Sequence, residues 1–173
     1  TVVFPADAPA LAGLPGRVLL PISLATIVFA AFGALAARTM RGTIANMLVV
    51  SVGVMMTAFA IFTEEALAAG MYYMVHSTLI VAALFLVAEM IGRQRGEVRD
   101  ELVPAPQLRQ AGLLGTIYFV SAAAIGGLPP FGGFLGKVYM FTALAGAEVW
   151  LSLAAAALGS GLGFLYYLRF AVV

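Results

Sequence analysis

Few side chains in this sequence can hold or hand over a proton away from water. Lys137 is the one charged residue in the stretch 111–147. An ammonium near the centre of a bilayer costs about 2.5–3.5 kcal/mol on insertion scales, so a lysine is retained there mostly to face a cavity or a partner. Lysine can also release its proton, which arginine cannot, so Lys137 is a candidate proton carrier. The competing reading is a lysine that snorkels from a short helix and keeps its ammonium in interfacial water. His76 lies within Tyr72-Tyr73-Met74-Val75-His76-Ser77-Thr78, and an imidazole suits a proton relay. Alternatively, it is a neutral histidine hydrogen-bonded to a neighbouring helix. Glu89 follows about 20 Å further along the same helical run, too far for a direct pair with His76. It is either a proton-uptake group or a helix-end charge. Glu64 and Glu65 are adequately explained as carboxylates at the positive end of a helix.

The elements that must position these groups are membrane spans. A helix needs about 20 apolar residues to cross a hydrocarbon layer about 30 Å thick, and runs of that length recur with charged punctuation between them. They cover residues 18–37, opened by Pro21 where a first-turn proline is tolerated, then 43–63, and then 66–91 with His76 and Glu89. As one helix, 111–147 would be about 55 Å long, nearly twice the core thickness, so it must fold back or break. The break is written at Gly126-Gly127-Leu128-Pro129-Pro130-Phe131-Gly132-Gly133, where prolines remove backbone donors and glycines weaken helix. Irregular backbone at membrane depth is tolerated only where it is buried in protein or lines a cavity, and half-helix ends there can hold ions. Gly127, Pro129, Pro130 and Gly133 are its key backbone positions. Residues 111–126, 134–147 and 149–168 complete six segments. The expected fold is an all-α, polytopic transmembrane bundle with a discontinuous helix, filling the whole chain as one domain.

Residues 93–110 form a hydrophilic link with four arginines, three acidic residues, Pro104 and Pro106. Arg38, Arg41, Arg93, Arg95, Arg99 and Arg109 fall on one side of the alternation of spans and Glu64 and Glu65 on the other. The positive-inside rule puts the arginine side, and with it the link, in the cytoplasm of a multi-pass cell-membrane protein.

Composition excludes most other functions. The chain is 63% hydrophobic and 10% charged, far from the roughly 25% charged of soluble domains. A net charge of +1 offers nothing to nucleic acid. There is no cysteine and one histidine, which removes disulfides, thiolate chemistry and the usual metal sites. No cofactor fingerprint and no nucleophile–base–orienter set is present, so an enzymatic reading has no support. Lys137 is not followed by Ser or Thr, so there is no phosphate-binding loop either. The absent initiator methionine and the apolar run at the far end are read as marks of an internal piece of a longer protein.

Two stretches carry a family resemblance. Tyr72-Tyr73-Met74-Val75-His76-Ser77-Thr78-Leu79 through Ala82-Ala83-Leu84-Phe85-Leu86, and Gly127-Leu128-Pro129-Pro130-Phe131-Gly132-Gly133-Phe134-Leu135-Gly136-Lys137, resemble the antiporter-like proton-translocating subunits. These are shared by Mrp-type (Pha or Mnh) monovalent cation/proton antiporters and the membrane arm of NADH:quinone oxidoreductase, and the wording is nearest the D subunits of the Mrp type. The resemblance covers essentially the whole sequence and implies the middle-to-late part of a longer chain built of inverted repeats, each with a broken helix. It implies proton transport in exchange for a monovalent cation, Na+ in the Mrp case, alongside other membrane subunits of a hetero-oligomeric complex. The rival within the family is a proton-pumping oxidoreductase subunit; the rival outside it is a structural membrane subunit without a relay. Carried over, Lys137 is the axis lysine of the second broken helix and His76 the axis histidine of a neighbouring span. Where the family has an Asp-Leu-Lys-Arg-like run, this sequence has Arg38-Thr39-Met40-Arg41-Gly42, so Arg41 stands in the place of a lysine, and a permanently charged guanidinium cannot relay protons in the same way.

Overall fold

A computed structural model describes residues 15–61, 63–104, 108–145 and 161. A π-helical turn, Pro15–Leu19, leads into α1, Leu20–Ala36. Then come α2, Met40–Ile61, and α3, Glu64–Gln94. After a 3-10 turn, Gly96–Val98, the chain forms α4, Ala111–Gly126, and α5, Gly132–Ala145. Among the described residues there is no β-strand, only an isolated bridge between Thr39 and Glu101. The expected span 149–168 lies outside the described residues apart from Gly161.

Local chemistry sets the helix ends. Pro21 sits in the first turn of α1, directly after the π-helical turn, and supplies no N–H there. Thr39 caps α2, its hydroxyl accepting from the Gly42 amide at 3.1 Å. Thr63 caps α3, accepting from Ala66 N at 3.2 Å, with Glu64 and Glu65 in the first turn against the positive end of the helix dipole. Gly16–Ala36, Met40–Ile61 and Glu64–Gln94 are each long and apolar enough to cross a membrane.

These three helices pack through small residues. A Cβ on Gly53 of α2 would stand 2.6 Å from Ile27 Cγ1 and 3.1 Å from the Ser23 carbonyl oxygen of α1, so the two backbones are as close as glycine allows. On α3 the buried positions Ala66, Ala69, Tyr73, Ser77, Val81, Leu84, Ala88 and Ile91 recur every three or four residues and form one stripe. Tyr73 ties it to α2 through a buried 3.2 Å contact between its hydroxyl and that of Ser51. Large apolar side chains such as Phe29, Phe32, Leu79 and Leu86 point outward, the arrangement a lipid or protein surround requires.

The relation of α4 to α5 decides the topology. Arg109, just before α4, donates its amide to Gln94 at the end of α3 at 3.1 Å, while Gly132 and Gly133, at the start of α5, lie against His76 midway along α3. Tyr139 then meets Tyr72 edge to face at 6.5 Å, and Thr142 and Ala143 line a groove with Glu65 at the start of α3. α4 and α5 therefore run end to end, both antiparallel to α3. With 16 and 14 residues they measure about 24 and 21 Å, each too short to cross alone, and together they match the roughly 46 Å of α3. The two runs that the sequence separates, 111–126 and 134–147, are halves of one interrupted crossing.

Replacing Gly53 with Ala should push α1 from α2 at a backbone contact, costing about 1–3 kcal/mol. Thermal unfolding in detergent is expected to show a lower midpoint for Gly53→Ala and no change for an outward-facing substitution such as Phe32→Leu.

Candidate functional site

The interruption is built by a helix that stops cleanly. Gly127 adopts φ +81°, a left-handed conformation open to glycine at little cost. Its amide bonds back to Ala123 O and Ala124 O at 3.1 and 3.3 Å, and the Leu128 amide to Ala123 O at 3.0 Å. This closure uses the carbonyls of the penultimate turn and leaves those of Ile125 and Gly126 to be satisfied otherwise. Pro129 and Pro130, joined by a cis peptide bond, bring no N–H that could reach them.

Lys137 satisfies both. Its Nζ donates to Ile125 O at 3.2 Å and to Gly126 O at 2.7 Å. It can do so because helical side chains lean toward the N-terminus of their own helix, and for Lys137, in the second turn of α5, that is where α4 ends. The residue is 6% exposed, so the ammonium is held by backbone and does not snorkel to water. The Tyr73 ring centroid lies 6.0 Å from Nζ, at the outer limit of a cation–π contact.

Glycines create the room. A Cβ on Gly127 would come within 2.8 Å of Lys137 Cδ, and one on Gly133 would collide with Ala124 O and stand 2.9 Å from His76 Cε1. His76 thus lies against the same strip of backbone, with its Nδ1 buried and without a hydrogen-bond partner among the described residues. Buried polar atoms are nearly always paired.

A second cluster forms at the arginine-rich end. Arg41 Nη2 pairs with Glu89 Oε2, and Arg93 Nε pairs with Glu89 Oε1 at 2.8 Å. The Arg41 and Glu89 side chains are 41% and 42% exposed, so water and salt screen them. Of the four proton-path candidates, Lys137 and His76 come together at the break, while Arg41 and Glu89 come together about 20 Å away along α3. Gly127, Pro129, Pro130 and Gly133 all lie in or beside the break.

Nothing in the residue pattern singles out Arg95 and Asp100. Arg95, 8% exposed, donates Nη1 to Arg99 O at 3.2 Å and Glu101 O at 2.7 Å, and Nη2 to Val103 O. The loop so gathered meets the α1–α2 turn. Met40 N donates to Asp100 O at 2.8 Å, Leu102 N to Arg38 O at 2.9 Å, and Arg41 N to the Asp100 carboxylate at 3.2 Å. The link is a tether that seats the first turn of α2 beside Glu89.

The family model for NADH:quinone oxidoreductase/Mrp antiporter, TM, matches residues 12–163. The chain belongs to this family. The D-type subunit of the Na(+)/H(+) antiporter of Bacillus subtilis (strain 168) is 26% identical over 121 residues, 70% of this chain and 24% of that protein. The N-type subunit of the NADH-quinone oxidoreductase of Rhodopseudomonas palustris (strain BisA53) is 39% identical over 94 residues, 54% of this chain and 18% of that protein. Among solved structures, the Mrp complex from Dietzia sp. DQ12-45-1b contains a chain that superposes with a TM-score of 0.76 at 26% identity, covering 92% of this chain and 30% of that one. This Mrp/oxidoreductase-family chain therefore spans a quarter or less of these two curated relatives and under a third of the structural one.

Replacing Arg95 with Met should leave three carbonyls without a donor, each costing about 1–3 kcal/mol if it stays buried. Hydrogen exchange is expected to speed up at the amides of Met40, Arg41 and Leu102 while those in the middle of α3 stay protected.

Proposed function

We propose that this chain is part of a membrane transport subunit that moves protons in exchange for a monovalent cation, Na+ foremost, with Lys137 as its proton carrier. The observation that carries the reading is a lysine buried at a helix interruption, its ammonium on two main-chain carbonyls. Such a group is expensive to keep in a membrane interior and is found mostly on ion and proton pathways. His76 is the adjoining relay member, its orphan Nδ1 open to a proton or a water. Arg41 and Glu89 stand at the rim, which the positive-inside rule assigns to the cytoplasm. The working unit is a hetero-oligomer in the cell membrane with other membrane subunits, as the Mrp complex suggests. The oxidoreductase relative at 39% identity favours a second reading, a proton-pumping component powered by redox partners, with the same role for Lys137.

The test is cation-dependent proton flux in everted vesicles carrying the full complex at matched expression. Lys137→Ala is expected to lower flux at least tenfold with assembly intact, and Lys137→Arg, which keeps the charge but does not release it, is expected to fail equally. Normal flux in Lys137→Arg would show that Lys137 only caps α4.

A further inference from the structure

The carbonyls that hold Lys137 have the chemistry of a cation site. Ile125 O and Gly126 O end a half-helix whose dipole is negative there, and both already accept from Lys137 Nζ. Neutral carbonyls that replace a hydration shell are how membrane proteins hold alkali cations, and C-terminal ends of half-helices serve the same purpose in transporters. No group of three or more His, Cys, Asp or Glu side chains suited to a metal exists among the described residues. A pair of neutral carbonyls suits a monovalent ion, whereas divalent ions draw on carboxylates. Space is limited too. Lys137 Nζ would come within 2.9 Å of a Cβ on Gly127, so the backbone lies close on that side, and like charge disfavours a second cation on the same two carbonyls.

We infer that the Ile125 and Gly126 carbonyls form a monovalent-cation site that the Lys137 ammonium and a bound alkali cation occupy in turn. When Lys137 is protonated, its ammonium fills the site. When its proton has passed by way of His76 to water, the neutral amine no longer carries the charge that excluded the cation, and Na+ or K+ takes the carbonyls. Both ions cannot be held at once, so one proton leaves for each cation that binds. This deepens the proposed function, on which it rests, by placing exchange at a single point.

The experiment is equilibrium binding of radioactive Na+, with K+ as competitor, to the detergent-solubilised full complex across pH. Wild type is expected to bind Na+ more weakly as pH falls. Lys137→Arg, a permanent occupant, is expected to bind about one Na+ fewer per complex than Lys137→Ala at every pH, and Lys137→Ala to lose the corresponding pH dependence. Lys137→Gln, uncharged but nearer in length, stands in for Lys137→Ala if that variant fails to assemble. Equal Na+ counts and equal pH dependence in the Arg and uncharged variants would overturn the inference. If flux is lost in Lys137→Ala while Na+ counts stay equal, the proton path stands and the shared site falls. If flux is unchanged while the counts differ, the site stands and the proton role falls.

Discussion

Everything in this fold answers to one constraint: carbonyls released where a helix stops inside a membrane must find donors, because no water is there to supply them. The left-handed turn at Gly127 satisfies Ala123 and Ala124, and the Lys137 ammonium satisfies Ile125 and Gly126. Without Lys137 the interruption would leave two buried acceptors unpaired; without the interruption Lys137 would be a buried charge with no backbone to receive it. The glycines follow from that exchange, since Gly127 and Gly133 each stand where a Cβ would collide with a group the site needs.

α3 is the spine on which this is mounted. It carries His76 on the face met by the start of α5, Tyr73 between Ser51 and the ammonium, and Glu89 at the far end beside Arg41. Its length matches the end-to-end pair α4 and α5, so one uninterrupted helix braces one interrupted helix. The close α1–α2 hairpin supports α3 from behind and brings Arg41 to Glu89.

Much of this was legible in the residues. Proline and glycine between 126 and 133 announce a stop whatever the surroundings, because they act through their own backbone. Lys137 is conspicuous because a charge in an apolar run has few explanations. The apolar runs mark membrane helices because length and composition suffice for that. What composition cannot carry is direction. The stretch 111–147 reads equally as a hairpin or a straight crossing, and only contacts between α5 and the first half of α3 choose. Arg95 and Asp100 were hidden for a related reason. In sequence they are two charges in a charged link, while their partners are main-chain groups, among them amides of an α2 turn 59 residues away, which no side-chain pattern advertises.

The end-to-end meeting of α4 and α5 also has an electrical consequence. In an unbroken helix the negative end of each turn is cancelled by the positive start of the next. Parting the two halves at residues 127–131 leaves both uncancelled a few ångströms apart, the negative face of α4 opposite the positive face of α5. The two helix ends taken together carry no net charge, yet the gap between them is polarised at short range. It therefore acts as a fixed local field that attracts one positive charge to one side of the gap without requiring any side chain to carry a negative one.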